Sequence, residues 1–215
     1  MLINFGGSVE EILMMKPDVV IATDWAFMLI PTLNHYGIET NVPEYGHKAE
    51  TFFKNLTHFG EILDRTTQAD LIINNYKARL KTLNERPHSP LKVAYITPSG
   101  YTGGTGTFID DIIKLAGYAS LAEDNNIAGW QQISLEQFLL NPPDLIVSSF
   151  FNQNDVHVSH WSLTRHPKIK KMMHEIPTIS IPGELISCGG LFSIETAEFI
   201  RREGEKALKQ REQLK

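Results

Sequence analysis

Residues 8–23 read SVEEILMMKPDVVIAT, and residues 134–149 read SLEQFLLNPPDLIVSS. Ser, Glu, Leu, Pro and Asp coincide, and most other positions exchange one apolar residue for another. In the first copy Ser8 and Glu11 have the spacing of a capping box, which closes the first turn of a helix. Val9, Ile12 and Leu13 supply a short apolar face, and Pro17-Asp18 stops the helix. Residues 19–22 are then a continuous apolar, β-branched run, as expected for a strand covered on both faces. The second copy repeats the order with Ser134 and Gln137, then Pro142-Pro143-Asp144, then the strand 145–147. A helix feeding a buried strand is one component of a βαβ unit.

Working outward, residues 28–36 look helical, Gly37 breaks the helix, and 38–42 look extended. Residues 91–97 (LKVAYIT) predict another buried strand, followed by a glycine-rich turn over 99–106 and a helix over 108–115. Residues 177–181 (PTISI) predict a late strand, and 193–214 a final helix with a charged, solvated end. Strands alternating with helices imply parallel sheets, so the fold class is α/β. Between the copies, 51–63 and 66–84 lack proline, and Ala69, Ile72, Ile73, Tyr76 and Leu80 recur at helical spacing. That stretch ends at Arg86-Pro87-His88-Ser89-Pro90, a natural boundary. The reading is two α/β lobes with mainly parallel sheets flanked by helices, joined by one long helix. The N-terminal lobe spans 1–65, the bridging helix 66–86 and the C-terminal lobe 87–215.

The 215 residues are 42% hydrophobic, enough for one large or two small cores. A formal net charge of -5 argues against a nucleic-acid partner. No run of about 20 apolar residues predicts a membrane span. The opening MLINFGGSVEEIL lacks the charged and apolar regions of a secretory signal. A single cysteine, Cys188, excludes an internal disulfide and cannot hold zinc alone.

The turn SGYTGGTGT lies between a strand and a helix, where phosphate loops sit. It is not a P-loop, since no Gly-Lys-Ser/Thr follows, and it fits a dinucleotide fingerprint poorly because Ile109 stands where the third glycine belongs. A nucleotide-dependent α/β enzyme using this turn is the alternative from another class. No nucleophile elbow or paired-cysteine metal site occurs. His157 and His160 stand three apart, with His47 in the other lobe, so direct binding of Zn or Mn across a cleft is a further reading. The aromatic residues fall at strand ends. Trp25 follows the strand 19–22, Tyr101 the strand 91–97, and Phe150 and Phe151 the strand 145–147; Trp130 and Trp161 lie in loops of the second half. Open α/β sheets bind ligands beyond the carboxyl ends of their strands, so these positions indicate an aromatic-lined cleft for a large, partly apolar ligand.

The segments GSVEEILMMKPDVVIA, GYTGGTGTFIDDIIKLAG, GWQQISLEQFLLNPPDLIV, RHPKIKKM and SCGGLFSIETAEFI, in this order, resemble the class III periplasmic binding proteins. These serve ABC importers of ferric siderophores, haem and cobalamin. The resemblance implies a chain that performs no chemistry and has no cofactor. It would capture a metal chelate between two lobes, a ferric siderophore ahead of haem or cobalamin, and deliver it to a membrane permease outside the cytoplasm. Family members carry an opening βαβ segment and a leader ahead of GSVEEIL, so the first lobe is expected to be incomplete and a decayed remnant is a further alternative. The late motif reads Ile186-Ser187-Cys188-Gly189-Gly190-Leu191, without the family's tryptophan and proline, and no glutamate matches the permease-docking pair of the cobalamin-binding members. The expected lining is Trp25, Tyr45, Tyr101, Trp130, Phe150, Phe151 and Trp161, with His47 and His160 as polar contacts.

Overall fold

Both copies of the repeat fold as capped helices followed by parallel strands. The computed structural model describes residues 8–22, 26, 28–149, 167–186 and 190–213. Helix α1 (Val9–Met15) begins at Ser8, whose hydroxyl accepts the Glu11 amide at 3.2 Å. Strand β1 (Val19–Ile21), helix α2 (Ile30–His35) and strand β2 (Glu39–Asn41) follow, and β2 pairs parallel with β1. Two helices come next, α3 (Ala49–Ile62) and α4 (Thr66–Asn84). The second half runs β3 (Lys92–Ile96), β4 (Tyr101–Gly103), α5 (Phe108–Leu115), β5 (Ala119–Ser120), α6 (Leu121–Asp124), β6 (Trp130–Gln132), α7 (Leu135–Leu140) and β7 (Leu145–Ser149). It closes with α8 (Pro167–Glu175), β8 (Thr178–Ile181), α9 (Gly183–Ile186) and α10 (Phe192–Gln213).

Strands β5, β3, β7 and β8 form one parallel sheet in that order. Its central strands β3 and β7 are buried on both faces, whereas the edge strand β8 alternates between buried and exposed, and period-2 alternation divides the side chains between two cores. Val93, Tyr95, Leu145 and Val147 meet Ile109, Ile113, Ile194 and Ile200 of α5 and α10 on one face. Ala94, Ile96 and Ile146 meet Leu121, Phe138, Met172 and Ile176 on the other.

Three expectations need correction. Strand β1 is covered on one face only: Val20 packs with Ile12 and Leu33, whereas Ile21 is 43% exposed. Among the described residues β2 is its only neighbour, so the apolar run reported β propensity rather than a second covering layer. The glycine-rich stretch is not all turn, because Tyr101–Gly103 is strand β4. Nor does Trp130 lie in a loop; it opens β6, and the two strands pair antiparallel. No helix among the described residues is long and apolar enough to cross a membrane.

Helix α4 occupies the stretch read as the bridge, and at 1.5 Å per residue it is about 28 Å long. It approaches α3 closely where Gly60 faces Ala69; a Cβ on Gly60 would stand 2.7 Å from that of Ala69. On its other side it is fastened to α10. Arg79 donates to Glu198 through Nε at 3.0 Å and Nη2 at 2.6 Å, and to Glu195 through Nη1 at 3.1 Å. Such a forked contact fixes orientation as well as distance. Tyr76 donates to Glu195 at 2.7 Å, and this bond, with the help of Arg79, holds the Glu195 carboxyl below the usual carboxylate range against the opposing effect of burial.

The folded form therefore binds fewer protons at Glu195 than the unfolded chain. Its stabilisation is complete above the ordinary carboxylate pKa and is lost as pH falls through that range. Glu195→Gln is expected to flatten the fall in Tm between about pH 5 and about pH 3. Arg79→Lys, which cannot reproduce the fork, is expected to cost about 1 kcal/mol at neutral pH, allowing for solvent screening. Thermal melts across that pH range check both.

Candidate ligand-binding cleft

A parallel strand sends its chain on from its carboxyl end, and two such exits face each other here. The segment 43–47, after β2, forms one wall of a cavity of about 780 Å³ together with one face of α3. Phe52, Leu56 and Phe59 lie on that face at helical spacing and line the cavity. The opposite wall is built from Gly106–Phe108 at the start of α5, from Gly129 and Trp130 at the start of β6, and from Leu191.

A relay of rings crosses from one wall to the other. Tyr45 and His47 meet edge to face at 5.3 Å between centroids, and His47 reaches Phe108 at 6.2 Å. Phe108 meets Trp130 at 5.9 Å, and Trp130 meets Tyr95 at 6.0 Å. Offset and edge contacts at these separations are favourable, so the walls are mutually complementary. The ends of the relay differ. Tyr95 is buried in β3 with its hydroxyl 2.5 Å from Ser149 Oγ, and burial raises its pKa. Tyr45 is 75% exposed, and its hydroxyl lies 3.4 Å from His47 Nε2.

The glycines before α5 shape this wall by letting backbones touch. Gly103 stands opposite Trp130 in the ladder, and a Cβ there would collide with Ile109 and Thr107. A Cβ on Gly104 would collide with the Ile127 carbonyl. Four amides of this stretch are engaged internally. Gly100 donates to Thr97, Gly104 to Gly129 at 2.9 Å, Thr105 to Ile127 at 2.9 Å and Thr107 to Gly104 at 3.1 Å. The Thr107 hydroxyl caps α5 by accepting from Asp110 at 3.4 Å. A phosphate cradle needs such amides free and converging on the anion, and here they are used to hold β4, β6 and α5 together.

Of the residues singled out from the sequence, Tyr45, His47 and Trp130 come together on the cavity wall. Tyr101 does not; it pairs with Gln132 at the far end of the ladder whose near end is Gly103 and Trp130. Trp25, Phe150, Phe151, His160 and Trp161 lie outside the described residues, as do His157 and Cys188. Among the described residues no group of three or more His, Cys, Asp or Glu could hold a metal ion. Phe108 and the α3 residues Phe52, Asn55, Leu56 and Phe59 were not anticipated. The signal for Phe52, Leu56 and Phe59 was the 3,4 spacing of the apolar positions on α3, which alone reads as ordinary core.

The parallel α/β units thus carry an aromatic-lined cleft at their strand ends. The chain belongs to the periplasmic binding protein family, whose model matches residues 5–157. The structure is similar to the periplasmic haem-binding protein HutB of Vibrio cholerae, at 20% identity and a TM-score of 0.74, over 91% of this chain and 79% of that one. It is also similar to BhuT, a periplasmic haem-binding protein in complex with two haems, at 18% identity and a TM-score of 0.74, over 94% and 80%. The periplasmic vitamin B12 binding protein BtuF of Vibrio cholerae matches at 16% identity and a TM-score of 0.64, over 94% and 79%. At these identities the likeness establishes a shared fold. No curated protein matches the sequence.

Backbone contact at Gly104 leaves nothing flexible to yield, so Gly104→Ala should lower stability by about 1–3 kcal/mol. Gly106 has open space beside it but a φ of +86°, so Gly106→Ala should cost only the left-handed strain of about 1 kcal/mol. Denaturant unfolding of the two variants measures the difference; a costlier Gly106→Ala would contradict the close contact at Gly104.

Proposed function

We propose that this chain captures a chelated metal between two lobes, 1–65 and 87–215, that close about the helix 66–86. It would act outside the cytoplasm and pass its cargo to the permease of an ABC importer. Within that class the cleft favours a haem-like tetrapyrrole over a ferric siderophore. The carrying observation is the Tyr45–His47 pair at the rim, 3.4 Å apart, facing Phe108 and Trp130 across a cavity of about 780 Å³.

Walls rich in aromatic rings suit a large, largely apolar macrocycle, whose surface they bury. A haem iron leaves an axial position open, and tyrosine and histidine are both established axial ligands. The Tyr45 hydroxyl would give up its proton on ligation, and His47 Nε2 is placed to receive it. A siderophore already surrounds its iron with its own donors and is commonly anionic, so it calls for cationic side chains. The described lining carries the carboxylate of Glu44 and neither Lys nor Arg. Support also comes from the haem-binding neighbours, though their identities speak to fold.

Titration of the ligand-free protein with ferric haem is expected to shift the Soret band to a saturable end point and to quench tryptophan fluorescence. Tyr45→Phe is expected to change the spectrum and to weaken binding about tenfold or more. A ferric siderophore or cobalamin that quenches while haem does not would overturn the haem reading and leave the chelate reading standing. Failure of the whole panel would remove both.

A further inference from the structure

Helix α3 offers two adjacent stripes to its surroundings. Phe52, Leu56 and Phe59 line the cavity, and one position back along the chain Thr51, Asn55 and His58 repeat the same spacing. The segment that carries Tyr45 and His47 lies along this second stripe and touches it at three places. At its start, Asn41 Oδ1 is 3.0 Å from His58 Nε2. Near its end Gly46 rests on Thr51, so closely that a Cβ would stand 2.8 Å from the threonine hydroxyl.

The central contact is of a different kind. The Asn55 side-chain carbonyl accepts the Glu44 N–H at 2.8 Å, and its NH₂ donates to the Glu44 carbonyl at 2.8 Å. One amide side chain thus satisfies both backbone groups of the residue directly before Tyr45, as a neighbouring strand would. Asn55 is half-buried on the cavity wall, while the two bonds themselves lie on the exposed side of the loop. The nearby Lys54–Glu44 ion pair, 3.6 Å long and well exposed, contributes little by comparison.

We propose that Asn55 is a positioning residue for the ligand. Its two-point bond to Glu44 fixes where Tyr45 and His47 stand relative to Phe108 and Trp130, and so controls how long the cargo is held. That role rests on the haem reading of the cleft, whereas the clamp on the loop does not. Asparagine carries its acceptor and its donor on separate atoms of one short side chain, as a two-point bond to a backbone N–H and C=O requires. Aspartate keeps the acceptor and loses the donor.

The test compares the full-length wild-type chain with Asn55→Ala, Asn55→Asp and Thr57→Ala. The last loses a bond to the Phe53 carbonyl within the same helix and does not line the cavity, so it controls for an alanine substitution on α3 away from the clamp. Amide hydrogen exchange of residues 44–47 is read first, without ligand. Exchange there should rise about tenfold in Asn55→Ala, less in Asn55→Asp, and not in Thr57→Ala. Ferric haem is then bound, and its dissociation rate and Soret position are recorded. Asn55→Ala should release haem about tenfold faster, with its Soret band displaced towards that of Tyr45→Phe, and Asn55→Asp should fall between.

Unchanged exchange in Asn55→Ala, or an equal rise in Thr57→Ala, overturns the clamp. Raised exchange with wild-type haem release and spectrum overturns the positioning role. If the wild-type chain takes up no haem, the functional reading fails, the positioning role falls with it, and the exchange data alone decide the clamp.

Discussion

Parallel pairing is the constraint from which the cleft follows. Strands that run the same way all release the chain at the same edge of the sheet. The pair β1–β2 therefore sends the segment 43–47 out at one edge, and β3 sends the β4–β6 ladder and the start of α5 out at another. Where these two edges meet, aromatic residues far apart in sequence become neighbours without any strand having to bend towards a ligand. Each wall is then firmed by its own backbone contacts. On one side these are the amides of Gly104 and Thr105, and on the other the pairing of Glu44 with Asn55.

The relative placement of the walls runs through three helices. α10 packs on the second sheet, α4 is fastened to α10 by Arg79, and α3 lies on α4 at the Gly60–Ala69 contact. Two of these joints are apolar and one is ionic. The ionic joint is half-exposed, and its energetic share is modest. Its geometry matters more, because the fork of Arg79 across Glu195 and Glu198 resists sliding of α4 along α10 in a way that an apolar stripe does not.

The second copy of the repeat was legible almost to the residue, because Leu145–Ser149 is covered on both sides and its sequence says so. The first copy carries nearly the same signal yet leaves Ile21 exposed. An apolar β-branched run records what a strand prefers, not how many layers surround it. Glycine was ambiguous in a similar way. Gly106 is a conformational glycine with positive φ, whereas Gly103 and Gly104 are glycines of close approach, and the string TGGTG does not distinguish them. Trp130 was found through its neighbourhood although its element was misread. The α3 wall was overlooked because an aromatic stripe on a helix is ordinarily core. Asn55 left no local trace at all, since its partner stands 11 residues away.

The two tyrosines at the ends of the ring relay show why the same side chain serves two purposes in one cleft. Tyr95 has its hydroxyl committed to Ser149, and burial raises its pKa, so it remains a neutral phenol. It gives Trp130 a dry, fixed surface to lean on and offers nothing to a metal. Tyr45 stands in solvent, its hydroxyl shared only loosely with an imidazole that can accept a proton. Ligation of a ferric centre requires a phenol that can lose its proton to a nearby base and whose oxygen faces the cargo. Of the two tyrosines in the relay, Tyr45 alone has an exposed hydroxyl beside an imidazole, which is why the proposed haem reading assigns the ligand role to it, and the ring that lies between it and the second wall is His47.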